Sequence, residues 1–255
     1  MNGVFLQGGG AKGAFQAGVL CGLHDRGVKF HVISGTSIGA INGYFVLKDA
    51  YNEMKEMWLE RDISSDGIDV ESPIIETSGV LEFLSDVEDY KDVELLKHFY
   101  VNFVPVVDRR LQHSCADLVQ LSECERFERI RQSSLLPKGI GVDPFDGRYS
   151  LQDASEQFAK DLGRGVYDDF VLDGGLLNNM FLEPFKDVKV DKLFIIVFKR
   201  DFELPSYILE RYEDEALCVI KSDIQYDKTD TMNFKHSFLE SNFKRGYEIA
   251  KAISI

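Results

Sequence analysis

Ser37 stands at the centre of Gly35-Thr36-Ser37-Ile38-Gly39, a G-x-S-x-G pattern. Where that pattern joins a strand to a helix, the serine is held on a sharp turn that projects its hydroxyl, and the flanking glycines are needed because a Cβ would collide with the neighbouring strand or helix. Such a hydroxyl can attack a carbonyl carbon if a base takes its proton and donors receive the developing negative charge. A Gly/Ser-rich turn without chemistry would read the same over five residues. Gly8-Gly9-Gly10-Ala11-Lys12-Gly13 offers the donors. Consecutive glycines leave backbone N–H groups free to point into one concavity, so Gly8, Gly9, Gly10 and Ala11 form a candidate oxyanion hole. The N–H of Ile38, at the start of the following helix, adds to it. Lys12 is read as a brace for this loop. The loop also fits G-x-G-x-x-G through Gly8, Gly10 and Gly13, so a dinucleotide site is the alternative. That alternative needs an acidic residue at the end of the second strand, where Ile33-Ser34-Gly35 stands instead.

A base must accept the serine proton. The five histidines are His24, His31, His98, His113 and His236, and only His236 falls late enough for a serine, acid, histidine order. Asp173 has the better setting. It follows the apolar Phe170-Val171-Leu172 and precedes Gly174-Gly175, which places it at a strand's C-terminal end, where open α/β sheets hold ligands. A carboxylate can serve directly as base if partial burial raises its pKa. An ordinary Asp-Gly turn is the alternative there.

The elements around these motifs are readable to different degrees. A strand over residues 3–6, a helix with Ala14, Ala17, Gly18 and Cys21 on one face, a strand over 28–33 and a helix with Ser37, Ala40, Ile41 and Tyr44 on one face make β-α-β-α. This is the pattern of an α/β fold with a parallel sheet flanked by helices. The small face of the first helix is expected to lie against the sheet. A helix over 51–60 and a loop over 62–78 follow. Two amphipathic segments are expected near 80–100 and 115–132, with a strand at 103–107 between them. Their apolar residues, including Leu81, Phe83, Leu84, Leu95, Leu96 and Phe99, would cover an acyl groove, meet a bilayer or pack as core. Strands are expected at 169–172 and 192–198, the second buried on both faces. Leu239, Phe243, Gly246, Ala250 and Ile253 mark one stripe of a C-terminal helix. One domain over 1–255, with an inserted helical, lid-like region at about 61–165, is the economical organisation.

Composition narrows the partners. The 255 residues carry 29 Lys+Arg against 43 Asp+Glu, a net charge of −14, which argues against nucleic acid and against general attraction to anionic membranes. The four cysteines, Cys21, Cys115, Cys124 and Cys218, have no disulfide or zinc spacing and are expected to be reduced core thiols. The longest clean apolar run, Leu193 to Phe198, is six residues, where a membrane span needs roughly 20. A soluble, cytoplasmic protein is expected.

Taken together and in this order, the three motifs resemble those of the patatin-like phospholipase family. The glycine loop at 8–13, the elbow at 35–39 and Asp173-Gly174-Gly175-Leu176 match its motifs, with Asn179 at the position of a later family asparagine. Phe181 stands where the family usually has proline. The resemblance implies a three-layer α/β/α fold with a mostly parallel sheet and a Ser37–Asp173 dyad that needs no histidine. It also implies lipid ester hydrolysis without metal or organic cofactor. From the apolar faces of the insertion and the net charge, contact with a membrane surface is expected to be local and transient unless an activator, protein or lipid, assists it. Gly13, Gly35, Gly39, Gly174 and Gly175 then serve as backbone support. A nucleotide-binding protein and a fold relative without catalysis remain the other readings.

Overall fold

The computed structural model describes residues 1–61, 69, 71–75, 78–87, 96–141 and 151–254. The first elements are β1 (Asn2–Leu6), α1 (Gly13–His24), β2 (Val32–Gly35), α2 (Ile38–Leu47) and α3 (Tyr51–Leu59). Next come β3 (Ile74–Ile75), α4 (Ser78–Ser85), β4 (His98–Val107), β5 (Arg110–Leu111), β6 (Ser114–Asp117), α5 (Glu123–Ser133) and β7 (Leu136–Pro137). They are followed by α6 (Leu151–Arg164), β8 (Val171–Asp173), α7 (Pro184–Asp187) and β9 (Lys192–Val197). The last are α8 (Ser206–Leu209), β10 (Leu217–Lys221) and α9 (His236–Ala252).

The main sheet runs β10-β9-β1-β2-β4-β5, with β6 and β8 also paired to β4. The pairs among β10, β9, β1, β2 and β4 are parallel, while β5, β6 and β8 run antiparallel to β4. Alternation along β1, β2 and β9 feeds two cores, while Val104, Val106 and Leu172 of β4 and β8 pack in a third. Val4, Leu6, Ile33, Phe194 and Ile196 belong to the one shared with α1, α2, α3 and α9. Phe5, Val32, Leu193, Ile195 and Val197 belong to the other, with Phe181, Phe185 and Ile208. The fold is thus α/β, a mostly parallel sheet between helical layers. Because β9 contributes to both cores, it reads as an uninterrupted apolar run.

Several expectations are corrected. The small residues of α1 face α9 as well as the sheet: a Cβ on Gly18 would stand 2.0 Å from the Phe243 carbonyl oxygen, so only glycine lets these two backbones approach. The amphipathic segment expected up to residue 100 gives way at His98 to β4, which starts five residues before the strand expected at 103. The described part of 61–165 is therefore not helical alone; it supplies β4, β5 and β6 to the main sheet. Cys115, at the head of the second expected amphipathic segment, lies in β6, and the helix starts at Glu123. Phe83, Leu84, Leu96 and Phe99 are core residues, with Leu81 packed against them; Leu95 and most of the loop expected at 62–78 lie outside the described residues. All four cysteines are free, but Cys115 and Cys124 are exposed rather than core. No helix among the described residues is long and apolar enough to cross a membrane.

Candidate active site

Parallel pairing of β1 with β2, ending at Leu6↔Gly35, sends both glycine motifs out of the same end of the sheet. The chain turns from β2 into α2 at Ser37, which has φ 55 and ψ −125. This left-handed φ on a residue with a Cβ stores about 1–3 kcal/mol that the surroundings must offset. They do so by close packing. A Cβ on Gly39 would stand 2.2 Å from the Leu6 carbonyl oxygen, and the Thr36 N–H donates to that same oxygen at 3.2 Å. The Ser37 N–H donates to Ser133 Oγ at 2.9 Å, a buried hydroxyl at the end of α5.

Asp173 reaches the same place by another route. On one edge of β4, residues 98–101 pair with β2 and residues 103–105 with β8, while β6 occupies the opposite edge. The end of parallel β2 and the end of antiparallel β8 therefore converge on the middle of β4. Asp173 pairs with Phe103 there and is only 2% exposed. Its Oδ1 accepts from the Gly175 N–H at 2.7 Å, and its Oδ2 is left without a hydrogen-bond partner. Burial pushes the carboxyl up to about 6, against a smaller downward pull from the nearby Ser37 hydroxyl and the Gly175 N–H. Ser37 and Asp173 are thus neighbours, although no hydrogen bond closes on Oδ2.

The glycine loop completes the enclosure, with one change from expectation. The Gly8 N–H donates to Asn179 Oδ1 at 2.9 Å, while Asn179 Nδ2 donates back to the Gly8 carbonyl at 3.0 Å. Gly8 is therefore an anchor, its N–H committed and unable to serve an oxyanion. Among the described residues nothing accepts from the N–H groups of Gly9, Gly10, Ala11 or Ile38. Behind the loop runs a chain of buried amides. Trp58 Nε1 donates to Asn42 Oδ1 at 2.9 Å, and Asn42 Nδ2 donates to Gln16 Oε1 and the Gly13 carbonyl, both at 3.0 Å. Lys12 Nζ lies 5.8 and 5.7 Å from the ring centres of Phe198 and Tyr226. Its pKa is lowered, chiefly by burial, with Asp230 opposing and Lys199 adding.

A cavity of about 200 Å³ opens among these groups, lined by Gly8, Gly9, Gly10, Lys12, Ser37 and Asp173, with Leu136, Leu176, Asn179 and Thr231 alongside. No histidine lines it. His236 is exposed at the start of α9. A larger hollow, about 500 Å³ beside His24, Asp49 and Tyr51, contains none of the motif residues. The end of β2, where a dinucleotide site needs a carboxylate, holds Ser34, whose hydroxyl donates to the Phe181 carbonyl.

The patatin-like phospholipase family matches residues 4–186. The chain belongs to that family. Lysophospholipase nte1 of Aspergillus terreus is 48% identical over 48 residues, which are 19% of this chain and 3% of that protein. Of solved structures, VipD from Legionella pneumophila superposes with a TM-score of 0.46 at 10% identity, over 98% of this chain and 66% of that one. A chain of the ExoU-SpcU complex from the type III secretion system of Pseudomonas aeruginosa gives 0.44 at 13% identity, over 98% and 50%. This chain spans a small fraction of the fungal relative, and just under two thirds and half of the two bacterial chains.

Within the patatin-like frame, the departure at Phe181 is absorbed by packing: its ring is buried in the second core and lies 5.7 Å from that of His113. The segment Ser134-Leu135-Leu136-Pro137 joins the site too, because the Leu135 carbonyl accepts from the Asp173 N–H at 2.8 Å and Leu136 lines the cavity. Two further residues at the site belong to no motif, Ser133 beside Ser37 and Asn102 on β4. The one signal for Asn102 was a lone amide inside the run Phe99 to Val107.

Proposed function

We propose that this patatin-like protein hydrolyses carboxylic ester bonds of phospholipids or related lipids through an acyl-enzyme on Ser37. The observation that carries the reading is Asp173, buried beside Ser37 with one carboxylate oxygen unpartnered, in a cavity lined by no histidine. A carboxyl raised to about 6 is ionised at neutral pH yet basic enough to accept a proton from an attacking hydroxyl. Ser37 Oγ adds to the ester carbonyl as its proton passes to Asp173. The N–H groups of Gly9, Gly10, Ala11 and Ile38 take up the negative charge on the carbonyl oxygen, each such donor contributing ~10²-fold or more in rate. Collapse expels the alcohol, which receives the proton from Asp173. Water then attacks the acyl-enzyme, giving its proton to Asp173, and collapse releases the acid as Asp173 returns that proton to Ser37 Oγ.

The reading treats residues 1–255 as one catalytic unit, since Thr231, beyond the family match, also lines the cavity. Leu177 is 47% exposed next to the cavity-lining Leu176, which suits brief contact with a lipid surface. At a net charge of −14 such contact draws little from anionic headgroups, so an activator, protein or lipid, belongs to the reading. Fluorophosphonate labelling followed by ester turnover tests it. Labelling and turnover should vanish in Ser37→Ala and Asp173→Asn and persist in His236→Ala. A folded wild type that neither labels nor turns over ester, with or without lipid vesicles, would leave a non-catalytic binding module as the better reading.

A further inference from the structure

The two halves of the site share two supports, the strand β4 and the 133–135 segment, whose Ser133 Oγ accepts from the Ser37 N–H and whose Leu135 carbonyl accepts from the Asp173 N–H. Among the described residues no main-chain hydrogen bond links the turn at Thr36 to the turn at Gly174. Along the shared edge of β4, Gly35 pairs with Val101 and Asp173 with Phe103. Asn102 falls in the seam between the two pairings, and its side chain is fully buried. Its Oδ1 accepts from Thr36 Oγ1 at 2.8 Å, while its Nδ2 donates to the Asn178 carbonyl at 2.7 Å and, more weakly, to the Gly174 carbonyl at 3.4 Å. Thr36 immediately precedes Ser37, and Gly174 immediately follows Asp173. A Cβ on Gly174 would stand 2.4 Å from Asn102 Oδ1, so the aspartate turn rests directly on this amide.

We propose that Asn102 is a positioning residue that fixes the two turns flanking Ser37 and Asp173, and with them the separation of the Ser37 hydroxyl and the Asp173 carboxylate. An amide suits the seam because it presents an acceptor and two donors in one neutral plane. Leucine would supply neither, and aspartate would lose the donors and place a second carboxylate beside Asp173. Buried on all sides, the amide has no water to turn to, so losing a partner displaces one turn relative to the other instead of being made good by solvent. A shift of that kind at a nucleophile–base pair lowers the chemical step far more than substrate binding.

The inference rests on Ser37 and Asp173 acting as nucleophile and base, and its test separates the two claims. Thr36→Val removes the hydroxyl that Asn102 accepts from, without touching Asp173; Thr36→Ser keeps that hydroxyl. With a water-soluble ester, kcat should fall at least tenfold in Thr36→Val and ~10²-fold in Asn102→Ala, with KM within threefold. Thr36→Ser should recover to within threefold of wild type. In ¹³C-carboxylate NMR the Asp173 midpoint should move by half a pH unit or more in Thr36→Val. If Asn102→Ala does not fold, Thr36→Val and its serine rescue decide the matter. Unchanged kcat and an unmoved Asp173 midpoint in folded Thr36→Val would overturn the inference, whatever happens to thermal stability. If wild type shows no Ser37-dependent hydrolysis, the proposed function fails, and the Asp173 midpoint alone then decides whether Asn102 controls the carboxylate.

Discussion

Residues 2–47 and residues 98–176 each deliver one member of the Ser37–Asp173 pair, by different means. In the first region every site residue lies within a few positions of a strand end, and helices return the chain so that β1 and β2 run side by side. Placement there is mostly local, because a strand, a sharp turn and a helix in succession bring Ser37 to the mouth, and Ser133 and Asn102 then fine-tune the turn from a distance. In the second region Asp173 owes its position to the register of a three-residue antiparallel strand on β4. A slip of one residue would turn the carboxylate to the opposite face of the sheet. The nucleophile is therefore held by close packing that offsets a strained turn, and the base by register and a few polar contacts.

The sharpest test of that contrast replaces the two residues themselves. Ser37→Ala and Asp173→Asn should each cost about 10³-fold or more in kcat/KM, but their stabilities should diverge. Because burial raises Asp173 from 3.8 to about 6, the folded protein binds its proton more tightly than the unfolded chain does. The stability this confers is present below pH 4 and is lost as pH rises through 6, an upper bound of ~3 kcal/mol. Thermal melts should show Asp173→Asn above wild type at pH 8, with the gap closing toward pH 4. Equal melts at both pH values would mean that Asp173 is not buried as described.

Gly39→Ala attacks the packed half, driving a Cβ to within 2.2 Å of the Leu6 carbonyl oxygen. It should lower turnover ~10²-fold and stability by about 1–3 kcal/mol, measured by ester kinetics and denaturant titration. On the other half, the pH profile of kcat/KM should fall tenfold per pH unit below about 6 as Asp173 takes up its proton; a midpoint near 7 that His236→Ala removes would point to a histidine base. Asn179→Leu frees Gly8 from both of its hydrogen bonds and should reduce kcat about tenfold by loosening the oxyanion loop. Smallest of all is Glu123→Gln. It weakens the 2.9 Å ion pair with the buried Lys48 that ties the end of α2 to the start of α5, and since a glutamine oxygen still accepts from Lys48 Nζ and Glu123 itself is largely exposed the loss should be about 1 kcal/mol, with turnover unchanged.

How legible each part was in the sequence follows the same division. The glycine loop, the serine turn and Asp173-Gly174-Gly175 could be read because tight turns force particular residue types at fixed offsets. The strand β9, apolar on both faces, and the α9 stripe Leu239, Phe243, Gly246 and Ala250 were equally plain. Other features were hidden for identifiable reasons. Residues His98 to Asn102 do not alternate apolar with polar because both faces of β4 are covered, Phe99 and Val101 in one core and Tyr100 against the other, so no period of two marks them as a strand. The commitment of the Gly8 N–H could not be seen, since its acceptor is 171 positions away. In α1, buried along almost its whole length, the small residues that admit α9 look no different from ones that admit a sheet.

What the sequence determined by itself is the chemistry available: a serine on a turn that only glycine neighbours permit, a loop with open N–H groups and an aspartate at the end of a strand. Steric exclusion acts over a few bonds, so it writes itself into adjacent residues. Tertiary structure decided which of these groups meet, which N–H remains free and how far the carboxylate is removed from water. Those outcomes depend on hydrogen bonds and burial between residues distant in the chain, where several side chains would pack acceptably and only the assembled register on β4 selects one arrangement.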